Sequence, residues 1–258
     1  FKSHMKQQEL TLFLEEKVLK YNQSSFIDKD PIQIPHQFSN SEDIAIAGFC
    51  TATISWGQRA TIIKNAKKWM RIMGNSPHDF TMTASDKQLG RFQDFKHRTF
   101  NGQDAVFFIK ALRSIYIEYD SLENAFQTGI RDFDKDLFHA LIHFRKRFLR
   151  PASTRTSKHV ANPETGSAAK RLNMFLRWMC RKDQQGVDLG IWSISPSLLS
   201  CPLDVHSGRV ARHLGLLNRK QNDWKAVLEL DTALRKMDSN DPVKYDFALF
   251  GLGVFEDF

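Results

Sequence analysis

The sequence has 258 residues, 41% of them hydrophobic, and a formal net charge of +8. This length and apolar content support one large domain or two small ones, and they exclude global disorder. No apolar run approaches the roughly 18 residues needed to span a bilayer, and no signal-peptide pattern opens the chain, so no membrane partner is expected. Ser3-His4-Met5 is typical of an expression-tag remnant, and we expect the native sequence to begin at Met5.

Positive charge is concentrated in one segment. Between His143 and Lys182 there are eleven Lys or Arg residues and a single acid, Glu164, so this segment carries +10 and the rest of the chain sums to −2. Localised positive charge suits a phosphate backbone, because each neutralised phosphate releases condensed counterions. A solvated lysine-rich surface is the alternative, but the near-absence of acids favours a polyanion partner.

The hydrophobic periodicity is helical nearly throughout, and we find no alternating strand pattern and no internal repeat. A connector rich in Pro and Asp follows the first helix, and a polar, basic loop is predicted over 151–165. Helices are predicted over 8–21, 41–54, 61–73, 103–118, 121–128, 134–148, 166–181, 205–216 and 223–236, and a last helix begins at Pro242 with Asp241 as its N-cap. The predicted fold class is therefore all-α.

The three cysteines, Cys50, Cys180 and Cys201, are far apart in the sequence and odd in number. This spacing fits neither a disulfide framework nor a zinc or iron–sulfur site. We therefore expect reduced thiols, no metal and no cofactor, in a cytoplasmic protein.

Two helix starts carry candidate chemistry. Asp204 follows the proline-containing Cys201-Pro202-Leu203 and opens a helix, where an aspartate is either a simple N-cap or a catalytic carboxylate. Lys170 lies in the first turn of the helix that follows Gly166-Ser167-Ala168-Ala169, where the positive helix end favours a neutral, nucleophilic amine. Lys170 and Arg177 share a helix face distinct from the apolar stripe, and that face is either functional or merely solvated.

A third feature is the polar corner that ends the apolar helix 41–54. Trp56, Gln58 and Arg59 follow this helix around Gly57. Such a corner either inserts a side chain into a DNA duplex or joins two helices.

These segments resemble helix-hairpin-helix DNA glycosylases. The run Pro202-Leu203-Asp204-Val205-His206, continued by Arg209-Val210-Ala211-Arg212-His213-Leu214-Gly215, is similar to the family's Val-Asp-Thr-His-Val…Arg-Val…Arg-Leu-Gly signature, in which the Asp is catalytic. The segment 166–181 is similar to the second hairpin helix, where bifunctional members carry a Schiff-base lysine. The Lys170–Asp204 separation resembles that of the archaeal 8-oxoguanine glycosylase branch.

The resemblance implies a base-excision glycosylase that acts on double-stranded DNA with a damaged base, with an oxidised purine such as 8-oxoguanine as the expected lesion. It implies two helical lobes with a DNA-binding cleft between them: a barrel over 42–181 carrying Lys170, and a second lobe of 6–41 plus 182–258 carrying Asp204. Lys170 and Asp204 would be catalytic. The implied DNA contacts are Gly166, Ser167, Arg171, Arg177, His206, Arg209, Arg212, Trp56, Gln58 and Arg59.

The sequence departs from the glycosylase pattern at the hairpin. Asn162-Pro163-Glu164-Thr165-Gly166 replaces the usual Leu-Pro-Gly-Val-Gly, and the iron–sulfur cysteines of the endonuclease III branch are missing. Over nearly its full length the chain resembles a bacterial family of unknown function, DUF2400; segments 173–179 and 242–251 contribute to this resemblance.

Three alternatives to a bifunctional enzyme stay open. A non-catalytic DNA-binding module would keep Asp204 as a cap and Lys170 as a phosphate contact. A monofunctional glycosylase would use Asp204 alone to activate water. A metal hydrolase built on Asp204 and His206 lacks a recognisable ligand spacing.

Overall fold

The computed structural model describes residues 6–150, 155–256 and 258, and it is all-α apart from one short hairpin. The predicted tag remnant, Ser3-His4-Met5, and the start of the predicted 151–165 loop lie outside the described residues. The helices are α1 Gln7–Tyr21, α2 Ser41–Thr53, α3 Arg59–Ile72, α4 Pro77–Thr83, α5 Asp86–Leu89, α6 Gly102–Tyr119, α7 Leu122–Gln127, α8 Phe138–Phe148, α9 Lys170–Cys180, α10 Val205–His213, α11 Trp224–Arg235 and α12 Tyr245–Phe255. The strands are β1 Lys96–His97 and β2 Phe100–Asn101, paired antiparallel.

The chain divides into two compact units. Among the described residues, the first comprises 6–26, 133–138, 162–256 and 258, and the second comprises 27–132, 139–150 and 155–161. Lys170 and Asp204 both belong to the first unit, whereas the lobes implied by the family resemblance assign them to different lobes. Geometry between these two residues is therefore geometry within one unit.

The core of the first unit is built on α12, which packs against both α1 and α10. Gly251 allows the closest approach, since a Cβ there would lie 2.1 Å from the ring of Tyr21. Phe26 meets Phe247 edge-to-face at 5.6 Å between ring centroids. The N-terminal helix is thereby fixed to the C-terminal helix, in the unit that also carries α9 and α10.

The core of the second unit is a cluster of phenylalanines around α2. This helix begins at the N-cap Asn40, whose side chain accepts hydrogen bonds from the amides of Glu42 and Asp43, and it is buried from Ile44 to Thr53. Phe49 packs against Phe108 of α6 and against Phe144 and Phe148 of α8. The apolar run in the sequence therefore corresponds to a central helix.

Most predicted helices are present, and the differences have local causes. The helix predicted to begin at Gly166 begins at Lys170, because Gly166 and Ala169 both adopt positive φ, 94° and 49°. Asp241 occupies the predicted N-cap position, and the residues from Pro242 first form a 3-10 turn, Pro242–Lys244. The Asp241 side chain makes no capping hydrogen bond, because it pairs with Arg181 instead. The short helices α4 and α5 and the β1–β2 hairpin were not predicted, because none of them is long enough to show a periodic pattern of apolar residues.

In the part of the chain that the structure describes, no helix combines the length and apolar character needed to cross a membrane.

Candidate functional site

The two carboxylate oxygens of Asp204 have different partners. One accepts backbone N–H groups at the start of α10, and the other lies near the amine of Lys170. Oδ1 accepts the backbone N–H groups of His206, at 2.8 Å, and Ser207, at 3.0 Å, while the Ser207 hydroxyl accepts the N–H of Asp204 at 2.9 Å. This capping box starts α10 and fixes the rotamer of Asp204. Oδ2 lies 3.9 Å from Nζ of Lys170.

Lys170 is the first residue of α9. Two residues before it, Gly166 and Ala169, adopt the left-handed backbone conformation and set the direction in which the chain enters the helix. The sequence folds this way because Gly166 has no Cβ to penalise its positive φ, and the small Ala169 occupies the position immediately before the helix. Nζ of Lys170 also lies 3.5 Å from the thioether sulfur of Met174, one turn on. The Lys170 side chain is 30% exposed and that of Asp204 27%, so both groups are accessible from solvent.

The loop before α9 is tied to the start of α11. Ser167 forms an isolated antiparallel bridge with Asp223, and the N–H of Trp224 donates to the carbonyl of Gly166 at 3.0 Å. The N–H of Gly166 donates to Pro163 and that of Ser167 to Asn162 within the same turn. Gly166 and Ser167 were implied DNA contacts; their backbone N–H groups do not serve as phosphate donors, because both already donate within this turn.

Beneath the accessible pair lies a buried network of charged side chains. Arg177 of α9 pairs with Asp188, at 3.1 Å from Nε, and with Asp246 of α12. Asp188 also pairs with Arg181 at 3.1 Å, and Arg181 binds Asp241 at 2.9 Å. Arg177 was predicted to contact DNA; that prediction is wrong, because its side chain is only 6% exposed and already holds two carboxylates.

Among the buried acids of this network, Asp246 has the pKa that departs most clearly from the ordinary value of an aspartate. Burial raises its pKa to about 6, against the opposing effect of Arg177, and the negative charge of Asp204 raises it further. Its Oδ1 also receives the thiol of Cys201 at 3.9 Å. Burial and the nearby carboxylates raise the pKa of Cys201 well above its usual value, so this thiol is inert at neutral pH.

The remaining predicted DNA contacts of the first unit differ in how exposed they are and in which hydrogen bonds they already make within the protein. Burial lowers the pKa of Arg171, which is half-buried, to about 10. Arg212 donates to the carbonyl of Arg219 at 2.7 Å and to the side chain of Asn222 at 2.6 Å, so it holds the loop after α10. Arg209 and His206 are exposed, and Arg209 donates to the carbonyl of Gly253 at 3.0 Å. Their contacts with DNA stay predictions.

The corner residues Trp56, Gln58 and Arg59 belong to the second unit. The Trp56 ring packs edge-on against His97, with centroids 4.8 Å apart, and its carbonyl lies 3.0 Å from Nε2 of that histidine. Gln58 is exposed at the N-cap of α3, and Arg59 begins the helix. Trp56 is thus a packed corner residue, while insertion of any of the three into a duplex stays a prediction.

Across the described residues, no group of three or more His, Cys, Asp or Glu side chains is placed to hold a metal ion. The geometry within the first unit thus centres on an amine and a carboxylate. Such a pair performs acid–base or nucleophilic chemistry on a bound substrate.

Comparison with known proteins gives one match. The model of the family described as "Protein of unknown function (DUF2400)" matches residues 30–255. The chain belongs to this family. A search of curated proteins and a search of solved structures give no match. The DUF2400 match spans both Lys170 and Asp204 and supplies no activity for them.

Sequence reasoning missed the acids of the buried network. Asp188 and Asp246 lie outside the glycosylase-like segments, and neither belongs to a motif that points to a paired arginine. The one available signal was the presence of Arg177 and Arg181 in and directly after α9, where most neighbouring residues from Leu172 onward are apolar. Two arginines on such a helix require buried carboxylates if the helix is enclosed on all sides.

Proposed function

We propose that this DUF2400 protein is a DNA N-glycosylase with associated lyase activity, in which Lys170 is the nucleophile and Asp204 the catalytic carboxylate. The observation that carries the proposal is the 3.9 Å separation between Nζ of Lys170 and Oδ2 of Asp204. The two residues are 34 positions apart in the sequence, and each belongs to a segment that resembles the glycosylase pattern.

The chemistry requires a free amine and a fixed anion beside it. Nζ of Lys170 forms a bond to C1′ of a flipped nucleotide, and the glycosidic bond breaks with its electron pair on the base, which takes up the proton that Nζ releases. The C1′–O4′ bond then opens, O4′ takes a proton from water, and an iminium remains on Nζ. Oδ2 of Asp204 stabilises the positive charge that develops on the sugar and then on Nζ.

The charge distribution supports DNA as the substrate. The 143–182 segment carries +10 in the sequence, although two of its residues, Arg177 and Arg181, are buried and paired with carboxylates. DNA is a polyanion in which glycosidic bonds join the bases to the sugars, and these are the bonds that such an enzyme cleaves. The Lys–Asp separation in the sequence favours an oxidised purine such as 8-oxoguanine. We place the protein in the cytoplasm, in association with the nucleoid.

Borohydride trapping tests the proposal. The protein is incubated with duplexes carrying 8-oxoguanine, uracil or an abasic site, and an iminium on Lys170 is reduced to a stable secondary amine. We expect an adduct with the wild type that is lost in Lys170→Ala and strongly reduced in Asp204→Asn. Lys182→Ala is the matched control, because it removes one exposed charge from the same basic segment.

The other outcomes identify the alternatives. Base release without an adduct, lost only in Asp204→Asn, indicates a monofunctional glycosylase. Duplex binding with neither adduct nor base release, on these lesions and on a wider panel of damaged bases, indicates a non-catalytic DNA-binding module and overturns the proposal.

A further inference from the structure

A second carboxylate, Asp246, contacts Arg177 on the helix of Lys170 and Cys201 in the segment that leads to Asp204. Lys170 and Arg177 are two turns apart on α9, roughly 10 Å along the helix axis. Lys170 forms an ion pair with Asp204, and Arg177 forms one with Asp246. The helix that presents the amine therefore carries an acidic partner at each of these two positions, one accessible and one buried.

Asp246 contacts both segments that build the accessible pair. Its Oδ2 accepts from Arg177 on α9, and its Oδ1 lies 3.9 Å from the sulfur of Cys201, three residues before Asp204. The backbone N–H of Cys201 is fixed at 2.9 Å by a further buried carboxylate, Asp231. Asp246 thus lies at the base of the two segments whose ends are Lys170 and Asp204.

A counter-ion role for Arg177 does not by itself require Asp246. Arg177 already has Asp188, which it shares with Arg181. Arg181 in turn has two further carboxylates, Asp183 at 2.6 Å and Asp241 at 2.9 Å. Within this network four carboxylates face two guanidiniums, so Asp246 adds negative charge beyond what neutralises the arginines.

We propose that Asp246 is a positioning residue for the reaction of Lys170: its buried carboxylate, oriented by Arg177, supplies negative charge beneath Lys170 and Asp204 that stabilises the positively charged forms of the reacting lysine. This inference rests on the proposed function. The charged or titratable groups that face Asp246 are Lys170 and Arg177 from α9, and Asp188, Cys201 and Asp204 from the segments between α9 and α10.

The electrostatics agree with this placement. Burial raises the pKa of Asp246 to about 6; Arg177 and Lys170 act to lower it, and Asp204 acts to raise it. Coulomb interactions are mutual, so a charge on Asp246 acts on Lys170 and Asp204 in return. Above pH 6 the carboxylate is ionised and favours ammonium and iminium forms of Lys170, and below pH 6 this contribution is lost.

The test compares Asp246→Asn with Asp241→Asn. The first removes the charge and keeps an oxygen that accepts from Arg177, and the second removes a charge from the same network at the far side of Arg181. The substrate is the lesion duplex with which the wild type forms an adduct. At pH 7.5 we expect Asp246→Asn to form this adduct roughly tenfold more slowly, which corresponds to an increase of about 1.4 kcal/mol in the activation free energy. The difference from wild type should vanish below about pH 6, and Asp241→Asn should show no such pH dependence.

A second readout needs no DNA. Acetic anhydride acetylates neutral amines, and peptide mass spectrometry measures acetylation of Lys170 against that of exposed Lys182. At pH 7.5, loss of negative charge at Asp246 should raise the relative acetylation of Lys170 about threefold. Slower adduct formation together with faster acetylation distinguishes charge stabilisation from a general loss of structure. Asp246→Glu, which keeps the charge, should acetylate like the wild type.

The two failures are distinguishable. If the wild type forms no adduct and releases no base, the proposed function fails, and with it the role of Asp246 in that reaction. If the wild type forms the adduct and Asp246→Asn has a pH-independent defect or unchanged Lys170 acetylation, the inference alone is overturned. If Asp246→Asn does not fold, the wild-type acetylation profile decides: a change in slope near pH 6 supports the inference, and its absence overturns it.

Discussion

Asp204 offers Lys170 only one of its two carboxylate oxygens, because the other is committed to the start of α10. Oδ1 accepts two backbone N–H groups at 2.8 and 3.0 Å, and Oδ2 lies 3.9 Å from Nζ of Lys170. The N-cap and the catalytic interpretations of Asp204 are therefore compatible. The cap fixes the carboxylate in the orientation from which the second oxygen meets the amine.

Two substitutions of Asp204 should separate these roles. Asp204→Asn retains an oxygen for the cap and loses the negative charge, so we expect near wild-type stability with strongly reduced adduct formation. Asp204→Ala removes the cap as well, and the free energy of unfolding should fall by about 1 kcal/mol. Urea unfolding of both variants measures the difference. Equal stability of the two variants would show that the cap contributes nothing.

Removal of Arg177 should destabilise the first unit strongly. Arg177→Met leaves Asp188 and Asp246 buried without their shared cation, and breaking a buried ion pair from one side costs about 3–5 kcal/mol. Lys220→Met, at an exposed site, is the control and should change stability by less than about 0.5 kcal/mol. Chemical denaturation of both variants makes the comparison. A small loss for Arg177→Met would mean that the network is hydrated.

Glu256 should make the α1–α12 contact sensitive to acid. Hydrogen bonds from Lys20 and Tyr21 lower the pKa of Glu256 from 4.5 to about 2, so its stabilisation is complete above pH 4.5 and is lost as the pH falls towards 2. Glu256→Gln should be less stable than the wild type at pH 7, by up to about 1 kcal/mol because the site is partly exposed. The gap should close near pH 2. Thermal melts across this range measure it, and a gap independent of pH would contradict the prediction.

A methyl group at Gly251 should disrupt the packing of α12 on α1. A Cβ there would lie 2.1 Å from the Tyr21 ring, so Gly251→Ala should cost about 1–3 kcal/mol through overpacking. Gly90→Ala is the matched control, because its Cβ would meet nothing within 4 Å and its φ of −57° suits alanine. We expect Gly90→Ala to be neutral or slightly stabilising in the same melts. Equal effects would contradict the assigned close approach.

The helices and both members of the accessible pair were predictable because their signals are local. The spacing of apolar residues marks α1 as an amphipathic helix, and Asp204 has the type and position of a helix cap. The late start of α9 was not predictable. Ala169 adopts φ 49°, a conformation that an alanine takes only when tertiary contacts impose it, and here the Ser167–Asp223 bridge holds the preceding loop.

The buried network was hidden for a different reason. Arg177 has the periodicity of an exposed face, and only the three-dimensional packing shows that Asp188 and Asp246 enclose that face. Acids 11 and 69 positions away leave no local pattern around the arginine. Pairing at such separations is a property of the fold, so single-sequence periodicity assigned Arg177 to the wrong environment.

Because α1 packs against α12, the apolar face of α1 stays uncovered by that helix while the ribosome synthesises the residues between them. Leu14 and Val18 of α1 are buried in the complete protein, yet α12 starts only at Tyr245, more than 220 residues after α1 ends. At about 5–20 residues per second, the ribosome needs roughly 11–45 s to synthesise that interval. Throughout that time the apolar face of α1 lacks its final partner, so a holding chaperone that binds the nascent N-terminus should raise the yield of native protein.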